Sequence, residues 1–224
     1  MKIKTILKFS KEIIQNPLAI TELPKWFFYI TKGKGGPLDE EIPWLTFGAI
    51  KYLSRKLNKN MVVFEYGSGG STLFFSKKVK KVISVEHDKN WYYYLKDKII
   101  SIENIELNLM ESSITGELLN KRNETQNQYF DEYVNQIDRY NNDFDVILID
   151  GRQRNECFRK AIKKIKENGI IVFDNFDREY YKKSLNMIDN NEFQVKKFRG
   201  FVPFSKMQSV TAIFEKRPKL KIRI

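Results

Sequence analysis

Residues 62–71 read Val-Val-Phe-Glu-Tyr-Gly-Ser-Gly-Gly-Ser, a β-rich run that breaks into a glycine turn and a helix start. Glycine lets the backbone pass close beneath a ligand, and a helix start offers unpaired N–H groups. A dinucleotide-binding turn would read G-x-G-x-x-G. Here the pattern is E-x-G-x-G-G-S, with Glu65 two residues ahead of Gly67. Negative charge at that point opposes a pyrophosphate and suits a ligand carrying an ammonium group. Nineteen residues past Gly67, Glu86 closes the next β-rich run, 81–86. A carboxylate at such a strand end can accept both hydroxyls of a ribose. The plainer alternative is a tight turn with two exposed acids.

A second group of acids follows later strands. Asp150 comes directly after the apolar run 146–149, and Asp174-Asn175 directly after 170–173. Adjacent strand ends of a parallel sheet converge on one spot. Asp, Asp and Asn offer only hard oxygen ligands, which suit Mg²⁺ or Ca²⁺. The competing reading has Asp150 positioning a ligand while Asp174 and Asn175 cap a turn. Arg152, Arg154 and Arg178 lie just beyond these acids and are candidates to clamp a carboxylate or phosphate; solvated surface serves any one of them equally well. His87 is the sole histidine. Its type suggests a general base, whereas its place beside Glu86 favours a pocket role. Cys157 falls within a helical stretch and reads as a small buried apolar residue.

The elements that must carry these residues alternate. Strands are expected at 61–66, 81–86, 105–110, 144–149 and 170–173, followed by two more at 193–198 and 209–215 that form an antiparallel pair. Helices are expected after the glycine turn to about 79, at 90–100, 129–140, 155–167 (stopped by Asn168-Gly169) and 178–189. The almost purely apolar 144–149 suits a strand buried on both faces. Such alternation predicts an α/β protein: a Rossmann-like, doubly wound, seven-stranded, mostly parallel sheet with an antiparallel last strand. Ahead of it, 3–14 reads as an amphipathic helix ended by Asn16-Pro17, 26–30 as an aromatic knot, and 33–37 as a flexible break. A helix at 43–57 should turn Trp44, Phe47, Ile50, Leu53 and Leu57 inward. The expected division is a helical N-terminal extension at 1–58, the ligand-binding domain at 59–217, and a basic tail at 218–224.

A chain of 224 residues with 42% hydrophobic and 14% aromatic residues makes one globular domain with an extension, and excludes disorder. One cysteine and one histidine exclude a disulfide framework and a Cys/His zinc site. No apolar run approaches a membrane span and no signal peptide is visible, so a soluble cytoplasmic protein is expected. The net charge is +12, of which residues 1–34 and 216–224 carry +5 each, leaving +2 between them. Basic ends suit an anionic surface, so peripheral attachment at the inner membrane face is an expected role. A nearly neutral centre argues against nucleic acid as a partner. Thirty Lys against ten Arg, with eighteen Asn, also fit a simple compositional bias.

With these motifs together, the sequence resembles the class I S-adenosylmethionine-dependent methyltransferases. It is most similar to a small bacterial branch with motifs reading as Phe64-Glu-Tyr-Gly-Ser-Gly-Gly-Ser-Thr72, Ser84-Val-Glu-His-Asp88, Ile149-Asp-Gly-Arg152 and Asp174-Asn175. The resemblance, over roughly 43–215, implies that Glu65 and the backbone of Gly67, Ser68 and Gly69 hold the methionyl part. Ser71 and Thr72 would donate to its carboxylate. Glu86 would bind the ribose, with His87 and Trp91 beside the nucleoside and Glu111 and Ser112 near the adenine. Asp150, Asp174 and Asn175 resemble the metal site of the catechol-type O-methyltransferases, with Asp150 and Asp174 at the reacting end. The Asn/Asp-Pro-Pro-aromatic motif of exocyclic-amine DNA methyltransferases is lacking; Asp174-Asn-Phe-Asp177 stands near its place. The expected activity is O-methylation of a small-molecule or glycan acceptor. The alternatives are an N- or nucleic-acid methyltransferase, or a non-catalytic membrane-associated protein that keeps the cofactor fold.

Overall fold

A computed structural model of the chain describes residues 17–31, 35–119, 128–141 and 144–218. The expected helix at 3–14 and nearly all of the basic tail lie outside the described residues. After a 3-10 turn at Pro17–Glu22 come α1 (Leu23–Thr31), α2 (Phe47–Lys56), β1 (Val62–Tyr66) and α3 (Gly70–Ser76). They are followed by β2 (Lys81–Glu86), α4 (Lys89–Ile99), β3 (Ile105–Leu109) and α5 (Asp131–Asn135). The chain closes with β4 (Phe144–Ile149), α6 (Arg154–Lys164), β5 (Ile165–Phe173), β6 (Phe193–Phe201) and β7 (Gln208–Lys216).

The seven strands form one sheet in the order β3-β2-β1-β4-β5-β7-β6. β1 to β5 pair in parallel, and β7 runs antiparallel between β5 and β6. The expected doubly wound sheet with an antiparallel last strand is the architecture observed. Its order reverses at β1 and β4, which opens a crevice at their carboxyl ends. Because β7 runs backwards, its first residue, Gln208, reaches the same end of the sheet.

Both faces of the sheet are covered. Phe64, Tyr66, Ile147, Ile149 and Phe173 face α5 and α6, and pack with Tyr133, Phe158 and Ala161. Val63, Val82, Val146, Leu148 and Val172 face the other way, onto Phe47, Ile50, Leu53 and Phe75 of α2 and α3. Strand alternation therefore puts Glu65, between Phe64 and Tyr66, on the second face.

Several elements differ from the sequence expectation. Helix α2 begins at Phe47 rather than 43, and Trp44 is 54% exposed instead of turned inward. The stretch 26–30 belongs to helix α1, with Trp26 against Phe201 at 4.8 Å and its Nε1 donating to the Ser205 carbonyl at 2.7 Å. Residues 129–140 make only the short α5 and a 3-10 turn, Gln136–Arg139, and 178–189 only a 3-10 segment, Glu179–Met187. Asn168-Gly169 does not end a helix: α6 stops at Lys164 because Ile165 already pairs with Phe144 of β4. Asn168 then takes φ 63° inside β5, and the register with β4 shifts there.

Residues 35–46, which begin in the expected flexible break, lie across the start of α3. Leu38 is buried with Leu73, Leu95 and Ile99. A Cβ on Gly70 would overlap the carbonyl oxygens of Pro37 and Ile42, so glycine is what permits this closeness. Gly70→Ala is therefore expected to cost about 1–3 kcal/mol of stability, the range for forced overpacking. Urea denaturation checks it, and an unchanged midpoint would mean that 35–46 does not bear on the loop.

Candidate active site

A cavity of about 860 Å³ opens at the carboxyl ends of β1, β2, β4 and β5, within the size range of small-ligand sites. Its floor is the glycine turn. Gly67 has φ 101° and Gly69 φ 152°, both costly for a residue with a side chain. Gly67 also passes close to Gly151, where an added Cβ would overlap the hydroxyl of Tyr133. The β1 and β4 loops thus approach at two glycines, and Tyr133 wedges behind them.

At the β2 end, Glu86 is 4% exposed and borders the cavity. Its Oε1 accepts from the His87 and Asp88 N–H groups at 2.8 and 2.9 Å, and its Oε2 from Ser68 Oγ at 2.7 Å. Burial works against this charge, but the hydrogen bonds from His87, Asp88 and Ser68 hold the carboxyl below its ordinary range. Oε2 keeps acceptor capacity beyond its one bond. Trp91 stands at the rim, its Nε1 donating to the Ser68 carbonyl at 3.0 Å, and its ring would meet a Cβ on Gly69 at 3.6 Å. His87 Nε2 accepts from Arg152 Nε at 3.0 Å. With that nitrogen accepting, the other, Nδ1, lies 2.9 Å from Glu86 Oε1. His87 is thereby tied to the Glu86 end of the cavity and has no lone pair free for a reacting proton.

Glu65 occupies a different place from the one the motif implied. It is fully buried on the α2/α3 face and does not border the cavity. Thr72 Oγ1 donates to its Oε1, as does Ser84 Oγ at 2.6 Å, and Oε2 has no partner among the described residues. Thr72 also accepts from the Gly69 N–H at 2.9 Å. The strand alternation that sends Phe64 and Tyr66 one way sends Glu65 under the loop. There it and Thr72 brace the turn from below, leaving Gly67, Ser68, Gly69 and Ser71 to face the cavity. Glu111 and Ser112 are likewise absent from the cavity wall, and Glu111 lies 3.7 Å from Lys89 at the surface.

At the β4 and β5 ends, Arg154, one of the three arginines expected to clamp a substrate, is engaged by the protein's own carbonyls and acids. Arg154, 7% exposed, donates to the Gly151, Asp174 and Asp150 carbonyls at 3.1, 2.6 and 2.8 Å. It also donates to Asp150 Oδ1 at 2.8 Å and lies 3.8 Å from Asp174 Oδ2. Thr211 Oγ1 donates to Asp174 Oδ1 at 2.9 Å. Burial, then repulsion from Asp150, raises the pKa of Asp174. Burial raises that of Asp150 as well, against the pull of Arg154. Asp150 keeps 28% of its side chain accessible, Asp174 only 4%. All three arginines border the cavity, Arg152 beside His87 and Arg178 with its guanidinium 3.3 Å from the Tyr180 hydroxyl.

This arrangement does not fit the expected Mg²⁺ or Ca²⁺. A guanidinium already stands where a cation would sit between Asp150 and Asp174, and Asn175 donates its amide to Ser209 Oγ at 3.2 Å. Among the described residues no three His, Cys, Asp or Glu side chains converge as a metal site. S-adenosylmethionine, in contrast, fits the β1–β2 end: two glycines clear the floor, Trp91 offers a ring, and Glu86 a carboxylate with spare acceptor capacity.

Comparison with solved structures gives a consistent likeness. A candidate methyltransferase from Streptococcus mutans, in complex with SAH, matches at TM-score 0.54 and 16% identity, covering 74% of this chain and 94% of that one. An rRNA methylase from Streptococcus thermophilus matches at TM-score 0.55 and 15% identity, over 75% and 93%. A candidate rRNA methylase from Clostridium thermocellum does so at TM-score 0.54 and 13% identity, over 77% and 97%. The fold is the Rossmann-like methyltransferase fold. No protein-family model and no curated protein matches the chain. Among the described residues, no helix of this methyltransferase fold is long and apolar enough to cross a membrane. Sequence reasoning missed Pro37, Leu38 and Trp44, which reach the cavity from the covering segment, and Gln208 at the start of β7. The Gly-Gly-Pro break at 35–37 was the available signal for the first three, and nothing local marks Gln208.

Two measurements test this geometry. Burial lifts Glu65 from 4.5 to about 7, against hydrogen bonds from Ser84 and Thr72. Between those values the folded protein holds a proton that the unfolded chain has released. Stability should therefore fall as pH rises through that window, by up to roughly 3 kcal/mol from this group. Glu65→Gln should shrink the decline seen in urea denaturation, and an equal decline in both proteins would mean that Glu65 is ionised in the fold. Separately, Mg²⁺ or Ca²⁺ titrated into the protein should give no saturable heat. Binding that Asp174→Ala abolishes would refute the fit argument.

Proposed function

We propose that this protein is an S-adenosylmethionine-dependent methyltransferase acting on an oxygen of a small-molecule or glycan acceptor. The observation that carries this reading is Glu86. It is an ionised, buried carboxylate at the end of β2, facing a glycine-floored cavity beneath Trp91. S-adenosylmethionine, when bound, supplies a methyl group made electrophilic by its sulfonium. The remaining work falls to the chain's own residues. Glu86 accepts the ribose hydroxyls, and Trp91 and His87 flank the nucleoside. Gly67, Ser68, Gly69 and Ser71 line the methionyl end.

Asp150, the more exposed of the two strand-end carboxylates that border the cavity, is the proton acceptor in this reading. An acceptor hydroxyl oxygen attacks the methyl carbon, the carbon–sulfur bond breaks, and its electron pair leaves with sulfur. The hydroxyl proton passes to Asp150. Arg154 holds Asp150 through one oxygen, and Asp174 holds Arg154 from the other side. Positioning of this kind accounts for much of what a methyl transfer needs. The lining supports a hydroxyl-rich acceptor: the half-exposed Trp44 and Met207 border the cavity, as do Asn175, Asp177 and Ser209. An indole face with amides and carboxylates around it suits a sugar ring, which is apolar on its faces and polar at its edge. Attachment to an anionic membrane surface through the basic ends belongs to the same proposal.

Calorimetry with S-adenosylmethionine and S-adenosylhomocysteine tests the central claim. Glu86→Ala should weaken both by roughly 5–150-fold, corresponding to about 1–3 kcal/mol for ribose hydroxyls buried without their acceptor. Equal affinities in wild type and variant would sink the reading.

A further inference from the structure

The three arginines along the cavity differ in what already satisfies them. Arg154 is spent on the β4 and β5 ends, and Arg152 donates its Nε to His87. Arg178 is partly buried, and its guanidinium makes one hydrogen bond among the described residues, from Nη1 to the Tyr180 hydroxyl. Its Nε and Nη2 are neither bonded nor sealed from solvent. No carboxylate pairs with it among the described residues, because the acids of the same wall are engaged elsewhere. Asp150 and Asp174 face Arg154, and Asp177 accepts from Ser209 Oγ and the Val210 N–H at 3.2 and 3.3 Å. The ring of Tyr181 fixes where this charge stands: Arg154 lies 5.5 Å from the ring centre and Arg178 6.0 Å. Arg178 is thereby held near the arginine that grips Asp150. Burial raises Asp150, and the charge of Arg178 adds to that of Arg154 in opposing it.

We infer that Arg178 binds an anionic group, a carboxylate or a phosphate, carried by the acceptor. This rests on the methyl-transfer reading and adds to it that the hydroxyl-bearing molecule is negatively charged. Nε and Nη2 are the two donors of a guanidinium that point side by side, the fork that matches two oxygens of a carboxylate or phosphate. In Arg178 that fork is the open side, since the bond to Tyr180 uses the third nitrogen and Tyr181 supports the group through its ring. A neutral hydroxyl would meet one arm of the fork and leave the charge unmatched. The lining that suits a sugar ring is retained, and the sugar becomes an acidic one.

The test uses the full chain saturated with S-adenosylhomocysteine and labelled with ¹⁵N at arginine. The probes are methyl glucuronide for a carboxylate, inorganic phosphate for a phosphate, and methyl glucoside as the neutral counterpart. At least one of the two anions should shift the Arg178 Nε–H resonance saturably and bind about tenfold or more tighter than methyl glucoside. Which anion does so tells the carboxylate from the phosphate. Arg178→Gln should remove that advantage while S-adenosylhomocysteine affinity stays within about twofold. Arg178→Lys, which keeps the charge and loses the fork, should restore only part of it. The inference is overturned if neither anion moves the Arg178 resonance, if methyl glucoside binds as tightly as both anions, or if Arg178→Gln holds the anion as wild type does. Failure of wild type to bind S-adenosylhomocysteine would instead overturn the methyl-transfer reading, so the two failures are told apart.

Discussion

Arg154 is the interaction on which the β4–β5 end of the cavity depends. The parallel strands β4 and β5 end side by side, and the carbonyls and acids that follow them would repel one another. A single guanidinium, donating to the carbonyls of Gly151, Asp150 and Asp174 and to the Asp150 carboxylate, holds the β4 and β5 ends together. Removing one partner from such a buried pair leaves an uncompensated charge, which is far costlier than never having built the pair. The arginine also explains why the Asp150–Asp174 pair does not fit a divalent ion. Its planar fork satisfies carbonyls and carboxylates at once, whereas a divalent ion would demand those carboxylates for itself.

The other half of the crevice is organised by buried carboxylates of opposite electrostatic character. Glu65 and Glu86 both end up inside the protein after similar strands, yet burial raises the first to about 7 while hydrogen bonding holds the second below its ordinary range. The difference is the number and kind of donors. Glu86 receives two backbone N–H groups and a hydroxyl, whereas Glu65 receives hydroxyls alone. An ionised Glu86 is suited to receive hydroxyls. Glu65, held close to neutrality, is suited to brace Thr72 and the turn above it.

Between these ends the backbone itself sets the shape. Gly67 supplies the positive φ of the turn, Gly151 leaves room for the Tyr133 hydroxyl behind it, and Gly70 lets residues 35–46 lie across the first turn of α3. That covering segment connects to the far end through the Thr46 N–H, which Thr211 accepts at 3.2 Å while donating to Asp174. The cover, the glycine turn and the acid pair therefore form one connected body, and the cavity between them is shaped by all three.

The sequence by itself determined the sheet and the positions of its functional ends. Apolar alternation and turn residues are local properties, and they sufficed to place seven strands, the antiparallel return, the glycine turn, Glu86, Asp150 and Asp174. What only the tertiary structure decided is where the side chains between those landmarks point. Glu65 and Glu86 follow comparable strands, but the pairing of β1 against β2 and β4 turns one under the loop and leaves the other in the cavity. Arg154 is one more surface cation in a linear reading; at the start of α6, four residues past Asp150 and near Asp174, it becomes the counter-ion of both. Trp44 fits an inward helical stripe until the helix begins three residues later and leaves it at the cavity mouth. Gln208 carries no local signal at all, since its place in the site comes from a strand running backwards to bring its first residue to the carboxyl end of the others. Sequence periodicity reports which face of an element is buried, and only the packing of distant elements reports what that face is buried against.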